Sequence, residues 1–234
     1  MDALVNARNS FRDCIPLAEH LSPIRRARLL TNLGALEADL GDYQAGLSYL
    51  RRALEAWNQQ PKDHHEKTAA LNNLGRTYSR LGDYETALRF YEGALERNRE
   101  ADDQDWAAKT LHNIGWVHFA LEDLETARSR EQEALLLAQE LTDRELEATI
   151  LENLSRIELR AGALDEAEQI LQTALDLRVA LGDRRAEADA RQDLARLLLE
   201  KGLVEAAAAA LRRSSELAAG ERDPTFLARA KILA

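Results

Sequence analysis

The sequence predicts an all-α fold of stacked antiparallel helix pairs. Three observations carry that expectation: a helix-favouring composition, an internal repeat of about forty residues, and helix start and stop signals at one spacing in each repeat. Of the 234 residues, 45% are apolar and 31% charged, and only four are proline. Leu, Ala, Glu and Arg are abundant and β-branched residues few, a balance that favours helix. No stretch approaches the ~18 consecutive apolar residues of a membrane span. The start, Met1-Asp2-Ala3-Leu4, lacks the basic and apolar regions of a secretory signal. A lone cysteine, Cys14, cannot form an internal disulfide and fits a reducing compartment, so a cytoplasmic location is expected.

Repetition fixes the register of everything else. Leu30-Thr31-Asn32-Leu33-Gly34 superimposes on Leu71-Asn72-Asn73-Leu74-Gly75, Leu111-His112-Asn113-Ile114-Gly115, Leu151-Glu152-Asn153-Leu154-Ser155 and Arg191-Gln192-Asp193-Leu194-Ala195. Seven residues after the small residue comes a break at Gly41, Gly82, Glu122, Gly162 and Gly202. A second apolar-periodic segment follows, with small residues at Gly46, Ala87, Ala127, Ala167 and Ala207 and again at Ala53, Ala94, Ala134, Ala174 and Ser214.

The elements follow in order. Residues 1–21 are expected to form the second helix of a partial preceding repeat, with Ala7, Phe11 and Cys14 at its packing positions. Repeats then occupy 22–62, 63–102, 103–142, 143–182 and 183–222 of a single solenoid, and 223–234 starts a sixth repeat or a capping helix. Ser22-Pro23, Asp63, Asp103, Asp143, Asp183 and Asp223-Pro224 open the first helices, where a side-chain oxygen accepts from free N–H groups and proline loses no donor. The four glycines at the break suit a left-handed turn. Asp42, Asp83 and Asp123 then cap the second helices, whereas Ala163 and Leu203 replace that cap in repeats four and five. Those two repeats are therefore expected to open first. A chain that begins and ends mid-repeat reads as a fragment of a larger protein, or as one whose open ends self-associate.

Leu74-Gly75-Tyr78-Gly82-Tyr84-Ala87-Tyr91-Ala94 resembles the tetratricopeptide-repeat signature nearly throughout, and residues 22–223 follow it more loosely. The forty-residue period is similar to that of kinesin light chains, spindle-orientation adaptors and sensor regions of bacterial regulators. The resemblance implies a right-handed superhelical solenoid whose first helices line a concave groove. It implies a non-catalytic scaffold or adaptor that binds a protein or peptide there. The alternative it implies is the signal-sensing region of a larger bacterial regulator, of peptide-pheromone or transcriptional type, with its effector domain elsewhere.

No catalytic constellation accompanies the repeat. His20, His64, His65, His112 and His118 do not form a His-Glu-x-x-His zinc pattern, and there is no Gly-rich phosphate loop. No cofactor and no metal are expected. A net charge of −10 opposes direct binding of nucleic acid, and no membrane partner is expected either.

Candidate ligand contacts come from the register of the first helices. Two positions before the small residue stand Asn32, Asn73, Asn113, Asn153 and Asp193. Related adaptors use asparagines at this family position to hold extended peptides, since a carboxamide both donates and accepts. The same side chains could equally bridge neighbouring helices. One position after the small residue stand Ala35, Arg76, Trp116, Arg156 and Arg196, and four further on Asp39, Arg80, Ala120, Arg160 and Glu200. Residues four apart share a helix face, so Arg76/Arg80 and Arg156/Arg160 form cationic pairs to either side of Trp116 in sequence. Phe119 lies one turn from Trp116, and His112 stands beside Asn113. Arginine and tryptophan dominate many binding interfaces, and arginine favours carboxylates. The expected ligand is an acidic segment with a large apolar anchor.

Overall fold

Each forty-residue period folds as two helices because its two apolar-periodic stretches are cut apart by a turn and restarted by a capping side chain. The computed structural model describes residues 2–13, 21–59 and 64–219. Its helices are α1 (Asp2–Asp13), α2 (Pro23–Asp39), α3 (Tyr43–Asn58), α4 (His64–Arg80), α5 (Tyr84–Glu100), α6 (Gln104–Ala120), α7 (Leu124–Glu140), α8 (Arg144–Ala161), α9 (Leu164–Leu181), α10 (Arg184–Glu200) and α11 (Val204–Ala219). No strand occurs among the described residues. The sequence features at Cys14, His20, Asp63 and 223–234 lie outside them.

The capping scheme is present as the sequence indicated. Ser22 accepts from Arg25 N at 3.4 Å with Pro23 opening α2. Asp42, Asp83 and Asp123 accept from the backbone N–H three residues on at 3.1, 3.1 and 3.2 Å. Asp103, Asp143 and Asp183 do the same at the starts of α6, α8 and α10, at 3.2, 3.0 and 3.0 Å. Ala163 offers no such bond to α9. The Asp123 carboxyl is held below the usual carboxylate range by hydrogen bonds from Thr126, side chain and backbone, with His118 adding to them.

The chain divides into two compact units, one ending at Val117 and the other starting at His118, so the boundary falls within α6. In the first unit α2 and α3 cross at their glycines. A Cβ added to Gly34 would lie 2.6 Å from Leu50 Cγ and 3.0 Å from the Gly46 carbonyl oxygen, and one on Gly46 would lie 2.9 Å from the Gly34 oxygen. Backbone meets backbone there, and no larger residue fits without pushing the helices apart. Gly75 of α4 receives the buried ring of Tyr91 from α5 in the same way, with an added Cβ 2.6 Å from the ring. In the second unit Ser155 takes this position on α8, and its Oγ donates to the Ala167 carbonyl of α9 at 2.8 Å. Ala195 and Ala207 pack in one apolar cluster with Leu198 and Ala210.

In three repeats a buried polar side chain on the second helix, chemically different each time, is tied to the first helix, once by way of Thr110 on the helix that follows. Trp57 Nε1 donates to Thr31 Oγ1 at 3.2 Å. Asn98 Nδ2 donates to Thr110 Oγ1 at 3.1 Å, and that hydroxyl lies 3.1 Å from Asn72 Oδ1. Arg178 Nε donates to Glu152 Oε1 at 2.7 Å and its Nη2 to Thr149 Oγ1 at 2.8 Å, with both charges buried. Asn98 and Arg178 stand at the position of Trp57, and Asn72 and Glu152 at that of Thr31. At the N-terminal end, Arg12 of α1 donates to Oε1 of the fully buried Glu37 through Nε at 2.7 Å.

Two stability predictions follow from these contacts. Truncating Arg178 to Ala leaves Glu152 buried without its counter-charge, an expected loss of about 3–5 kcal/mol. The double change Arg178→Met, Glu152→Met should recover most of that loss in urea denaturation, because the ion pair is matched charge and not a net gain. Thr142, a β-branched residue, sits at φ 55°, where the following repeat has Gly182 at φ 69°. The left-handed conformation costs about 1–2 kcal/mol for a residue with a Cβ, and glycine gives part of that back as chain entropy. Thr142→Gly should raise stability by roughly 0.5–1 kcal/mol in the same assay.

Candidate functional site

In the first unit the ligand-contact candidates lie on α2, α4 and the part of α6 up to Val117. Asn32 is exposed on α2, while Asn73 of α4 is half-buried and its Oδ1 accepts from Arg76 Nη2 at 3.2 Å. Arg76 and Arg80 both reach back to one carboxylate in the last turn of α2. Arg80 Nη1 is 2.7 Å from Asp39 Oδ1 and 3.2 Å from the Ala38 carbonyl, and Arg76 Nη2 is 3.5 Å from Asp39 Oδ2. Two cations therefore share one anion, leaving a net positive cluster. Burial pushes the Tyr91 phenol well up, and the charges of Arg76 and Arg80 draw it part of the way back. His112 and Asn113 of α6 are half-buried. Trp116 is 40% exposed and meets Tyr84 edge to face, with ring centroids 6.4 Å apart. An indole so exposed gains contact area when an apolar side chain covers it.

In the second unit Phe119 is half-buried at the end of α6, and a polar chain runs from α7 through α8 to α10. The amide of Asn153 donates to the fully buried Glu131 at 3.1 Å, while its Oδ1 accepts from Arg156 Nη1 at 2.8 Å. Arg156 donates through Nε at 2.9 Å, and through Nη2, to Asp193 Oδ2. Arg196 lies loosely on the same aspartate at 3.6 Å, with its side chain 60% exposed against 14% for Asp193. Again two arginines share one aspartate. Arg160, in the last turn of α8, pairs with Glu122 in the turn before α7.

The carboxamide positions thus have different surroundings. Asn153 is buried with both ends of its amide engaged, and Asn73 is held by an arginine, whereas Asn32 points to solvent. The tight arginines, Arg80 and Arg156, join successive first helices. The looser ones, Arg76 and Arg196, keep donor capacity to spare.

Sequence reasoning did not assign Asp39, Glu122 and Glu131 a part in this network, whereas Asp193 stood in the series for which bridging between neighbouring helices was the alternative. A signal was available, because Asp39 and Arg80 occupy one register position in successive repeats with opposite charge. Charges one repeat apart on neighbouring helices are spaced to pair.

Among the described residues, no group of three His, Cys, Asp or Glu side chains could hold a metal ion. No helix among them is long and apolar enough to cross a membrane.

The tetratricopeptide-repeat family model matches residues 25–100, 68–140, 108–178 and 146–219. The chain belongs to the tetratricopeptide-repeat family. No match emerges among curated protein sequences. Among solved structures it is similar to BtubC (BKLC) from P. vanneervenii, with 24% identity and a TM-score of 0.77 over 94% of this chain and 93% of that one. It is also similar to NprR in complex with its cognate peptide NprX, with 18% identity and a TM-score of 0.75 over 98% of this chain and 65% of that one. A STAND-class signal-transduction ATPase with a tetratricopeptide-repeat sensor, from Pyrococcus horikoshii, matches all of this chain with 38% of its own length, at 18% identity and a TM-score of 0.75. At these identities the likeness shows the fold.

The two arginines on Asp193 separate in a stability assay. Arg156→Gln removes two charge-assisted bonds and the partner of Asn153, an expected loss of about 2 kcal/mol. Arg196→Gln, exposed and loosely paired, should cost less than about 0.5 kcal/mol. Urea denaturation of the two variants beside the wild type checks the difference.

Proposed function

We propose that the chain is a non-catalytic scaffold that holds a protein or peptide segment against its first helices, in the cytoplasm. The segment is acidic and carries one large apolar side chain. The observation that carries the reading is Trp116, a large apolar side chain left 40% exposed in a unit whose Arg76 and Arg80 share a single carboxylate. Burying the rest of that indole supplies affinity, and arginine donors left over from Asp39 supply selectivity for carboxylates. The second unit offers Arg196 in the same condition beside Asp193. Asn32 and Asn113 are the carboxamides best suited to a ligand backbone, while Asn73 and Asn153 hold the arginines in position.

A second reading has a specific observation behind it. The similar NprR structure contains a bound peptide, and the similar STAND protein uses its repeats as a sensor. In each, the matched part is less than the whole. On that reading the chain is the signal-sensing part of a larger regulator, and the held segment is its signal.

Affinity capture from native lysate, with wild type compared against a Trp116→Ala, Arg196→Glu variant of equal helicity by circular dichroism, tests the proposal. At least a tenfold drop in recovery of a partner with the variant is expected. Equal recovery would place the interface elsewhere.

A further inference from the structure

The turn between the first and second helices of a repeat takes the left-handed conformation each time. Four of the five turns have glycine there: Gly41, Gly82, Gly162 and Gly202, at φ 90°, 79°, 82° and 74°. The fifth has Glu122, at φ 61°. A Cβ built on any of the four glycines would meet open space, so the turns themselves leave room for a side chain, and the cost of one lies in the backbone angle. Asp102 and Thr142 also take positive φ, but in the other class of turn, where glycine is not the rule. Aspartate is among the residues that tolerate this conformation by bonding its own backbone, and glutamate is not.

Glu122 does not repay its strain as a structural staple. Its carboxylate pairs with Arg160 of α8, 38 residues on, and the two side chains are 60% and 52% exposed. Exposed ion pairs return little stability. Glycine fills this register position in the other four repeats, so what sets Glu122 apart is its charge. The charge of Glu122 is delivered to one of the arginines expected to take a ligand's carboxylate.

We propose that Glu122 is a built-in competitor for Arg160, occupying the arginine's carboxylate seat until an acidic ligand displaces it. This rests on the acidic-segment reading above and sets its selectivity. A ligand with a single weakly placed carboxylate does not outcompete an acid tethered in the adjacent turn, whereas one carrying several carboxylates does.

The test is fluorescence anisotropy of a labelled Glu-Glu-Trp-Glu-Glu peptide at low salt, with thermal denaturation of each protein. Glu122→Gly removes charge and strain, and Glu122→Gln removes charge alone. Both should lower the Kd by roughly two- to fivefold, the size of one exposed ion pair. That gain should vanish when Arg160→Gln is added. Glu122→Gly should melt no lower than wild type. Unchanged affinity in both variants, a gain that survives Arg160→Gln, or no binding by any variant overturns the competitor. A lower melting point for Glu122→Gly overturns it too, by showing a structural clasp. The parent reading fails differently: Arg196→Glu would leave the Kd unchanged, whereas an Arg196-dependent Kd insensitive to Glu122 removes only the competitor.

Discussion

The close approach of the two helices in a pair is the constraint on which the rest of each unit depends. Where Gly34 and Gly46 meet, backbone lies against backbone, and any Cβ would fall within 3 Å of atoms that cannot move cheaply. That distance fixes the depth at which Leu33, Leu47 and Leu50 bury. It also fixes which turn of the second helix faces which turn of the first. Ser155 shows that the approach tolerates a small polar residue when its hydroxyl satisfies a backbone carbonyl across the gap. At Gly75 a tyrosine ring takes the space instead, so the same small position accepts either a helix backbone or a flat side chain.

On this frame the polar groups divide by depth. Several buried ones are matched within the chain: Arg178 with Glu152, Trp57 with Thr31, and Glu158 with a bidentate pair from the half-buried Arg128 at 2.6 and 2.8 Å. Such matching contributes specificity of register more than net stability, since each charge has lost its water. Nearer the surface, the exposed Asp39 and the half-buried Asp193 tie successive first helices together through one arginine and leave a second only loosely satisfied. The surplus of positive charge on these faces thus arises from unequal sharing, within a chain whose total charge is −10.

The periodic features of the fold were legible in the sequence because they are local. An aspartate before a helix bonds its own first turn, and a glycine after one sets its own φ, so Asp42, Asp143, Gly41 and Gly202 could be placed without knowing any neighbour. The ion pairs were not, because Arg156 finds Asp193 only once α8 and α10 lie side by side. Asn153 read the same as Asn32 in sequence, yet one is buried between Glu131 and Arg156 and the other faces solvent. The position of Trp57 was opaque for another reason. Tryptophan, asparagine, alanine, arginine and alanine follow one another there, and no shared chemistry marks it as an interface.

That variety has a genetic consequence. Tandem repeats grow and shrink when recombination pairs one copy with another, and arrays of interchangeable copies are easily shuffled. Here a crossover joining the second helix of one repeat to the first helix of another would set Arg178 against Thr31, or Trp57 against Glu152. Either hybrid buries a group without its counterpart. Divergence at this one interior position therefore selects against hybrids among the first, second and fourth repeats, whereas the third and fifth, with alanine there, bring no buried polar group of their own.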